Sequence, residues 1–319
     1  MIAASMSGPL PFLSAEAEPS AGRWIRALQA AMPGERVVAF EDLDASERAA
    51  CEIAIVANPR PEDVLALPNL KWVQSVWAGV ERLMAALPAG DLKIVRLVDP
   101  QLARTMAEAV LAWTLYLHRD MPRYARQQSA RQWLQHEYVR PEAKTVSLLG
   151  LGMLGATGAA KLLEAGFQVC GWSRTRKALP GVDCYAGAGE LAAMLARTDI
   201  LVCLLPLTAQ TRGMVNAETL GALRAGAALV NFARGPIVDD AALRSALDAG
   251  RVSHAVLDVF DREPLPADAW QWAHPNVTVL PHISAATDPS TASAIVAANV
   301  RRYRESGVIP ATVDRAAGY

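Results

Sequence analysis

Hydrophobic residues in the first third of this chain form short runs that alternate with amphipathic segments, which predicts strands and helices in turn. Apolar positions at helical spacing begin near Trp24 and end at Pro33 and Gly34, and a shorter helix is predicted near 61–67. Runs of strand length stand at 9–13, 36–40, 52–57, 71–75 and 92–97. Because strand and helix alternate, we expect a small α/β domain with a parallel sheet.

The rest of the chain predicts a second parallel sheet. A long helix over 101–120 carries one apolar face, Pro122 interrupts it, and a second helical piece is expected to run to about Glu137. A last helix over 290–304 is expected to return to the first domain and make it discontinuous. Apolar runs that are typical of strands covered on both faces stand at 144–149, 167–171, 200–205, 227–232, 254–258 and 277–280.

A glycine-rich motif, Gly-x-Gly-x-x-Gly, connects the strand at 144–149 to a helix over about 156–165. In this setting the glycines permit a tight turn, a close approach to a pyrophosphate and close packing of helix on strand. The free amides at the start of the helix can bind phosphate. We therefore expect a dinucleotide site, with a tight turn lacking any ligand as the alternative. The residues of this site are Gly150, Gly152, Met153, Leu154 and Gly155.

Composition and charge exclude several classes of protein. The 319 residues suffice for two domains, and the formal net charge of −1 indicates no surface for nucleic acid. No run approaches a membrane span and no N-terminal targeting signal is found, so we expect a cytoplasmic protein that binds neither a membrane nor a nucleic acid. The four cysteines are scattered without metal-ligand spacing, which predicts reduced, mostly buried thiols and no metal site.

Three ionisable residues come shortly after three of the strands predicted in the second part. They are Arg234, Glu263 and His282, and the strands are those at 227–232, 254–258 and 277–280. Ligands bind outside the carboxyl ends of parallel strands, so the three side chains are expected to share one crevice. Each alone could be an ordinary surface or loop residue. Together, and beside a dinucleotide motif, they predict a catalytic site.

Four motifs spread along the chain indicate one known family. They are Gly150-x-Gly152-x-x-Gly155, Val230-Asn231-Phe232-Ala233-Arg234-Gly235, Asp258-Val259-Phe260-x-x-Glu263-Pro264 and Leu280-Pro281-His282-Ile283-Ser284. The chain resembles the D-isomer-specific 2-hydroxyacid dehydrogenase family over essentially its whole length. The segments Trp77-Ala78-Gly79-Val80 and Trp172-Ser173-Arg174-Thr175-Arg176-Lys177 are similar to the glyoxylate/hydroxypyruvate reductase A branch.

The resemblance implies an α/β fold with two doubly wound parallel-sheet domains. A Rossmann domain that binds NAD(P), residues 99–285, is expected to be inserted into a discontinuous flavodoxin-like substrate domain, residues 1–98 and 286–319. It also implies reduction of a small-molecule 2-keto acid, with glyoxylate and hydroxypyruvate as the expected substrates.

The three ionisable residues suit the reduction of a keto acid. Arg234 offers a planar pair of N–H donors that can bind carboxylate and carbonyl oxygens together. His282, as imidazolium, would donate a proton to the carbonyl oxygen as hydride reaches the carbon. Glu263 would orient the ring and raise its pKa, so that the acid form persists near neutral pH.

A turn in the first domain is a further candidate for binding substrate. The backbone amides of Trp77, Ala78 and Gly79 could bind the remaining carboxylate oxygens, and an ordinary turn is the alternative. The Trp77 side chain could narrow the pocket and favour small acids. Arg131 and Trp133 could also reach the substrate, although we expect them to serve packing.

The resemblance adds further cofactor contacts and a partner. Asp258 would accept a hydrogen bond from the nicotinamide amide, and Met106 would line the nicotinamide, with a place in the core as its alternative. A homodimer is expected, since relatives pair through the region of the helix at 101–120, whose apolar face could equally be core. The other cofactor residues assigned are Leu205, Pro206 and Ala233.

The loop Trp172-Ser173-Arg174-Thr175-Arg176-Lys177 predicts which nicotinamide is used. Enzymes that prefer NAD carry an acid about 20 residues beyond the glycines, where it binds the ribose hydroxyls. This loop has no acid, and the nearest carboxylates along the chain are Glu164 and Asp183. Cations favour a 2′-phosphate, so we expect NADPH, with NADH weaker; a solvated basic loop is the alternative. The expected contacts are Arg174 and Arg176, assisted by Ser173 and Lys177.

Two other functions remain open from the sequence. The family that the chain resembles includes corepressors, in which a dinucleotide controls the binding of a partner protein. The chain shows no tail or basic segment that would favour this function. Among enzymes, a dehydrogenase for another small acid, such as formate or phosphite, is the nearest alternative.

Overall fold

The computed structural model describes residues 8–15, 20–88, 90–315 and 318. The chain divides into two compact units, Met1–Gln101 with Thr287–Tyr319, and Leu102–Ala286. The first unit is thus built from two separate segments, and the second is inserted between them.

Strands and helices alternate through most of both units. The strands are β1 Leu10–Ser14, β2 Val37–Ala39, β3 Ile53–Ala57, β4 Trp72–Ser75, β5 Lys93–Val95, β6 Thr145–Leu149, β7 Gln168–Ser173, β8 Val182–Ala186, β9 Ile200–Cys203, β10 Ala227–Asn231, β11 Val252–Leu257 and β12 Val277–Val279. The helices are α1 Ser20–Ala31, α2 Ala45–Ala50, α3 Pro61–Leu65, α4 Glu81–Ala86, α5 Pro100–His118, α6 Met121–Ser129, α7 Met153–Glu164, α8 Gly187–Leu195, α9 Ala217–Ala222, α10 Asp240–Asp248 and α11 Pro289–Ser306. Short 3₁₀ helices lie at Phe40–Asp42, Pro141–Ala143, Gly235–Ile237 and Trp270–Trp272.

The sheet of the first unit has the order β2-β1-β3-β4-β5, with parallel pairs throughout. The direction of strand addition reverses between β1 and β3, which is the flavodoxin-like arrangement. Successive side chains of the central strand β3 point to opposite faces of the sheet, and all of them are buried, so both faces are covered. Ile55 packs in one core with Leu28 of α1. Its neighbour Val56 packs in the other core with Val64 of α3.

Helix α11 belongs to the first unit although the second unit precedes it in sequence. Val296 and Val300 lie in the core that contains Leu28. Asn299 Nδ2 donates to Gln74 Oε1 at 2.8 Å, which joins the helix to β4. The predicted return of the last helix to the first domain is confirmed.

The sheet of the second unit has the order β12-β11-β10-β9-β6-β7-β8, and its pairs are also parallel. Strand order reverses between β6 and β9, and the glycine motif follows β6 at this switch point. Leu229 packs with Leu243 of α10 on one face of the sheet. Val230 packs with Leu162 of α7 on the other. The two parallel-sheet domains predicted from the sequence are confirmed.

The helix that was expected to reach Glu137 ends much earlier, at Ser129. Arg131 adopts a left-handed φ of 55°, its amide donates to Gln128, and the amide of Gln132 donates to Gln127. This pattern is a Schellman motif, in which glycine usually takes the left-handed place. Since an arginine takes it here, the sequence carried no stop signal.

In the described part of the chain, no helix combines the length and the apolar character that crossing a membrane requires. All four cysteines are free thiols; Cys51, Cys170 and Cys203 are buried, and Cys184 is partly buried. Burial raises the pKa of Cys51 to about 11, so this thiol stays protonated near neutral pH.

Candidate active site

A tight turn after β6 brings the glycines of the motif together. Gly150 has a left-handed φ of 107°, and a β-carbon there would lie 2.9 Å from the carbonyl oxygen of Leu204. A β-carbon on Gly155 would lie 1.9 Å from the carbonyl oxygen of Gly150. Side chains at these two places would therefore displace backbone.

The first turn of α7 offers free donors to an anion. Within the described residues, the amides of Met153, Leu154 and Gly155 find no protein acceptor, and no acidic side chain lies in that turn. Gly152, the N-cap, is exposed, and a β-carbon there would meet no atom within 4 Å. The turn thus fits the pyrophosphate of a dinucleotide.

The basic loop after β7 keeps its cations at the surface. Arg174, Arg176 and Lys177 are exposed, and the partly buried Ser173 donates its hydroxyl to the carbonyl oxygen of Thr175 at 2.8 Å. The loop therefore presents positive charge beside the glycine turn, since β7 pairs with β6.

Arg176 is held by one residue of β8 and one of α8. Its Nη1 donates to the carbonyl oxygen of Cys184 at 2.9 Å, and its Nη2 pairs with Glu190 Oε1. The other oxygen of Glu190 accepts the amide of Ala186 at 2.8 Å. That amide, together with Arg176, holds the pKa of Glu190 below its usual value.

Glu190 is a carboxylate near the loop that sequence reasoning missed. It lies 14 residues beyond Arg176 in sequence, and the pairing of β7 with β8 brings the two together. Only the unpredicted strand β8 could have indicated it.

Arg234 follows β10 in a turn that contacts the loop carrying Glu263. Its Nη1 donates to the carbonyl oxygen of Ala233 at 2.6 Å. A β-carbon on Gly235 would lie 2.0 Å from the carbonyl carbon of Phe260. The glycine after Arg234 is therefore required by the close approach of the neighbouring loop.

Glu263 and His282 are joined by a hydrogen bond of 2.8 Å between His282 Nδ1 and Glu263 Oε2. Glu263 Oε1 accepts the amide of Phe260 at 2.9 Å, so both carboxylate oxygens are held. The His282 side chain is 52% exposed. Its Nε2 has no partner within the described residues and can meet a substrate oxygen.

Electrostatics tie the three predicted residues together. The hydrogen bond to Glu263 raises the pKa of His282 above its ordinary value, against burial and the charge of Arg234. Burial alone would raise the pKa of Glu263, but hydrogen bonds from His282 and the Phe260 amide, with the charges of His282 and Arg234, bring it below its usual value. The three residues thus lie within electrostatic reach of one another.

Asp258, after β11, holds the turn that carries His282. Its carbonyl oxygen accepts the amide of His282 at 3.0 Å, and its carboxylate accepts the amides of Ile283 and Ser284 at 2.7 and 2.9 Å. These bonds fix a left-handed φ of 54° at His282, a costly conformation for a residue other than glycine. The bond from Asp258 to a nicotinamide amide stays a prediction.

The other predicted cofactor residues lie in or beside the core of the second unit. Met106 is 7% exposed and packs in the same core as Val110. Packing accounts for this methionine, and its contact with a nicotinamide stays a prediction. Leu205 and Ala233 are buried, and Pro206 is partly buried.

The turn after β4 offers fewer amides than the sequence suggested. The amide of Trp77 donates to Ser75 Oγ at 3.0 Å, so it is already used within the turn, which corrects the expectation that it is free. The amides of Ala78 and Gly79 have no acceptor within the described residues. The Trp77 ring packs edge-on against Trp24, with centroids 5.5 Å apart.

The structure also corrects the packing expected for Arg131 and Trp133. Arg131 is exposed, and Trp133 is 98% exposed, so neither side chain serves the core of its own unit. The other large apolar side chains exposed between residues 121 and 139 are Met121, Tyr124, Leu134, Tyr138 and Val139.

A family model matches the middle of the chain. It describes the "D-isomer specific 2-hydroxyacid dehydrogenase, NAD binding domain" and matches residues 111–284. The matched segment contains the glycine motif together with Arg234, Glu263 and His282.

Solved structures are similar over nearly the whole chain. A D-isomer specific 2-hydroxyacid dehydrogenase from Xanthobacter autotrophicus Py2, in complex with NADPH and MES, is 40% identical with a TM-score of 0.91, and the match covers 98% of this chain and 100% of that one. The NADPH-dependent glyoxylate/hydroxypyruvate reductase from Sinorhizobium meliloti, in complex with NADP and sulfate, is 33% identical with a TM-score of 0.90 and the same coverage. A probable 2-hydroxyacid dehydrogenase from Rhizobium etli CFN 42, with NADP, HEPES and L(+)-tartaric acid, is 33% identical with a TM-score of 0.88 over 98% of this chain and 99% of that one. The chain therefore belongs to the D-isomer specific 2-hydroxyacid dehydrogenase family of enzymes.

Proposed function

We propose that this enzyme reduces small 2-keto acids, glyoxylate and hydroxypyruvate first among them, to 2-hydroxy acids with NADPH. The hydrogen bond between His282 and Glu263, within electrostatic reach of Arg234, is the observation that carries the proposal. The similarity to the Sinorhizobium meliloti glyoxylate/hydroxypyruvate reductase supports the choice of substrates.

Each of the three residues has one role in this proposal. NADPH, when bound, supplies the hydride. His282 donates the proton from Nε2 to the substrate oxygen that becomes negative, while Glu263 accepts the hydrogen bond from Nδ1–H and orients the ring. Arg234 binds the keto acid through its guanidinium group. The free amides of Ala78 and Gly79 remain candidates for the substrate carboxylate.

The choice of NADPH is supported by the basic loop and by the relatives. Arg174, Arg176 and Lys177 are exposed, and the 2′-phosphate is the part of NADPH that NADH lacks. The Xanthobacter structure contains NADPH and the Sinorhizobium structure NADP. We assign Arg174 and Arg176 as the main contacts to this phosphate, with NADH bound more weakly.

We also propose a homodimer in the cytoplasm, but not through the apolar face of the helix at 101–120. The apolar face of α5 is core, because Val110 and Leu117 are buried there. The apolar side chains exposed between 121 and 139, among them Trp133 and Leu134, are the better candidates for a partner chain. The four free thiols fit a reducing compartment.

Activity with a panel of acids tests the function directly. We expect NADPH oxidation with glyoxylate and hydroxypyruvate to exceed that with pyruvate and phenylpyruvate, and formate to reduce no NADP⁺. His282→Ala should lower kcat by about 10²–10⁴-fold, since it removes the positioned acid. His274→Ala, outside the proposed site, is the control. Stoichiometric binding of NADPH without turnover of any acid would contradict the proposal and favour a corepressor-like protein.

Glu263→Gln should move the pH profile of keto-acid reduction in a defined direction. Glu263 raises the pKa of His282, so the wild-type acid form is lost only as the pH rises through that raised value. Without the carboxylate the pKa falls, and the alkaline limb of kcat/KM should shift to lower pH. Glu218→Gln, an exposed change on α9, should leave the profile in place. An unshifted limb in Glu263→Gln would remove the orienting role.

Replacing both Arg174 and Arg176 by Ala should raise the KM for NADPH about tenfold or more, because a well-made charged contact contributes at least about 1.4 kcal/mol. The kinetics with NADH should hardly change, since NADH has no 2′-phosphate. Arg244→Ala removes an exposed arginine that is also ion-paired, with Asp248, and should affect neither cofactor. Equal losses for both cofactors would show that the loop does not recognise the 2′-phosphate.

Light scattering at micromolar concentration should give twice the mass of one chain. Leu134→Glu places a charge among the exposed apolar side chains and should shift the wild-type dimer towards monomer. Leu65→Glu is matched to it, since Leu65 is 57% exposed and Leu134 59% exposed, and it should leave the mass unchanged. A monomeric wild type would refute the dimer.

A further inference from the structure

Asn231, the last residue of β10, is a buried amide whose side chain bonds outside the sheet. It is 1% exposed. Its Oδ1 accepts the amide of Ala233 at 3.2 Å, and its Nδ2 donates to the carbonyl oxygen of Arg234 at 3.1 Å. Both bonds end in the turn that carries the Arg234 side chain.

The backbone of Asn231 is fixed within the sheet. It pairs with Cys203 of β9 on one side and Leu257 of β11 on the other, and its carbonyl oxygen accepts the amide of Asp258 at 3.1 Å. The side chain thus connects the paired end of β10 to the turn that follows the strand.

On its other side, the movement of this turn is limited by the backbone of the loop after β11. Gly235 lies so close to the loop at Phe260 that a β-carbon would stand 2.0 Å from the carbonyl carbon of that residue. The turn cannot move towards the loop that carries Glu263, and the Asn231 bonds hold it from the strand side. Arg234 is therefore attached to a segment restrained from two directions.

We propose that Asn231 is a positioning residue, which fixes the turn of Arg234 and thereby sets the affinity for the keto acid. The second half of this statement rests on the substrate-binding role proposed for Arg234. An amide is required because one side chain must accept from an N–H and donate to a carbonyl oxygen at once. Serine is too short to span both groups, and an ionised carboxylate would oppose its oxygen to that carbonyl oxygen.

Asn231→Asp tests the proposal through pH. The ionised carboxylate accepts from Ala233 but repels the carbonyl oxygen of Arg234, whereas the protonated form donates there and restores the native pattern. Burial favours the protonated form of the introduced group. We expect kcat/KM for glyoxylate, at saturating NADPH, to fall about 10²-fold relative to wild type at about pH 8. The ratio to wild type should recover as the pH is lowered to about 5.5.

Asn216→Asp is the matched control. Asn216 caps α9 by accepting the amide of Thr219 at 3.1 Å, and aspartate caps helices equally well. The kcat/KM of this variant for glyoxylate, divided by that of wild type, should stay near one at every pH. Asn231→Ala, which cannot regain a donor, should stay impaired at both pH values, and circular dichroism will show whether it remains folded.

Hydrogen exchange at the Ala233 amide separates this proposal from the proposed function. In Asn231→Ala, which removes the acceptor of that amide, faster exchange than in wild type supports the restrained turn. The proposal is overturned if kcat/KM of Asn231→Asp equals that of wild type at every pH. It is also overturned if exchange at the Ala233 amide is unchanged in Asn231→Ala. If wild type reduces no keto acid, the proposed function fails, and the exchange measurement alone then decides whether Asn231 fixes the turn.

Discussion

The parallel register of β10, β11 and β12 is the constraint on which the candidate site depends. Asn231 pairs with Leu257, and Leu257 pairs with Val279, so the last residues of three neighbouring strands lie in one row. Loops that leave this row start side by side, and each carries one of the three residues Arg234, Glu263 and His282. A shift of one residue in either pairing would turn every side chain of that strand to the opposite face and separate the three loops.

Buried polar groups at the strand ends hold the turns that follow the strands. Asn231 bonds to the turn of Arg234, and Asp258 bonds to the turn of His282. A buried amide or carboxylate without partners would cost about 1–3 kcal/mol or more. Here the partners are loop amides and a carbonyl group, so the same bonds that satisfy the buried residue also restrain the loop. Gly235 lets the two loops meet without an intervening side chain.

The sequence was sufficient where a feature depends on short-range pattern. Apolar runs predicted most of the strands. The positions of Arg234 and His282 shortly after two of these strands predicted that they share one edge of the sheet. Features that depend on tertiary contacts were out of reach. Glu190 reaches Arg176 only through the pairing of β7 with β8, and the end of α6 uses an arginine where glycine usually signals a stop. The exposure of Trp133 likewise depends on where the chain goes after that end.

The two charged residues beside His282 act on its protonation in opposite directions. Glu263 favours the imidazolium form of His282, whereas Arg234 opposes it. The carboxylate of a keto acid bound at Arg234 would offset that opposition, because opposite charges in contact screen each other's field. The pKa of His282 would then rise further when the substrate is in place. The acid would be most fully protonated in the complex that needs its proton, and a substrate without a carboxylate would forgo this effect as well as the direct contact with Arg234.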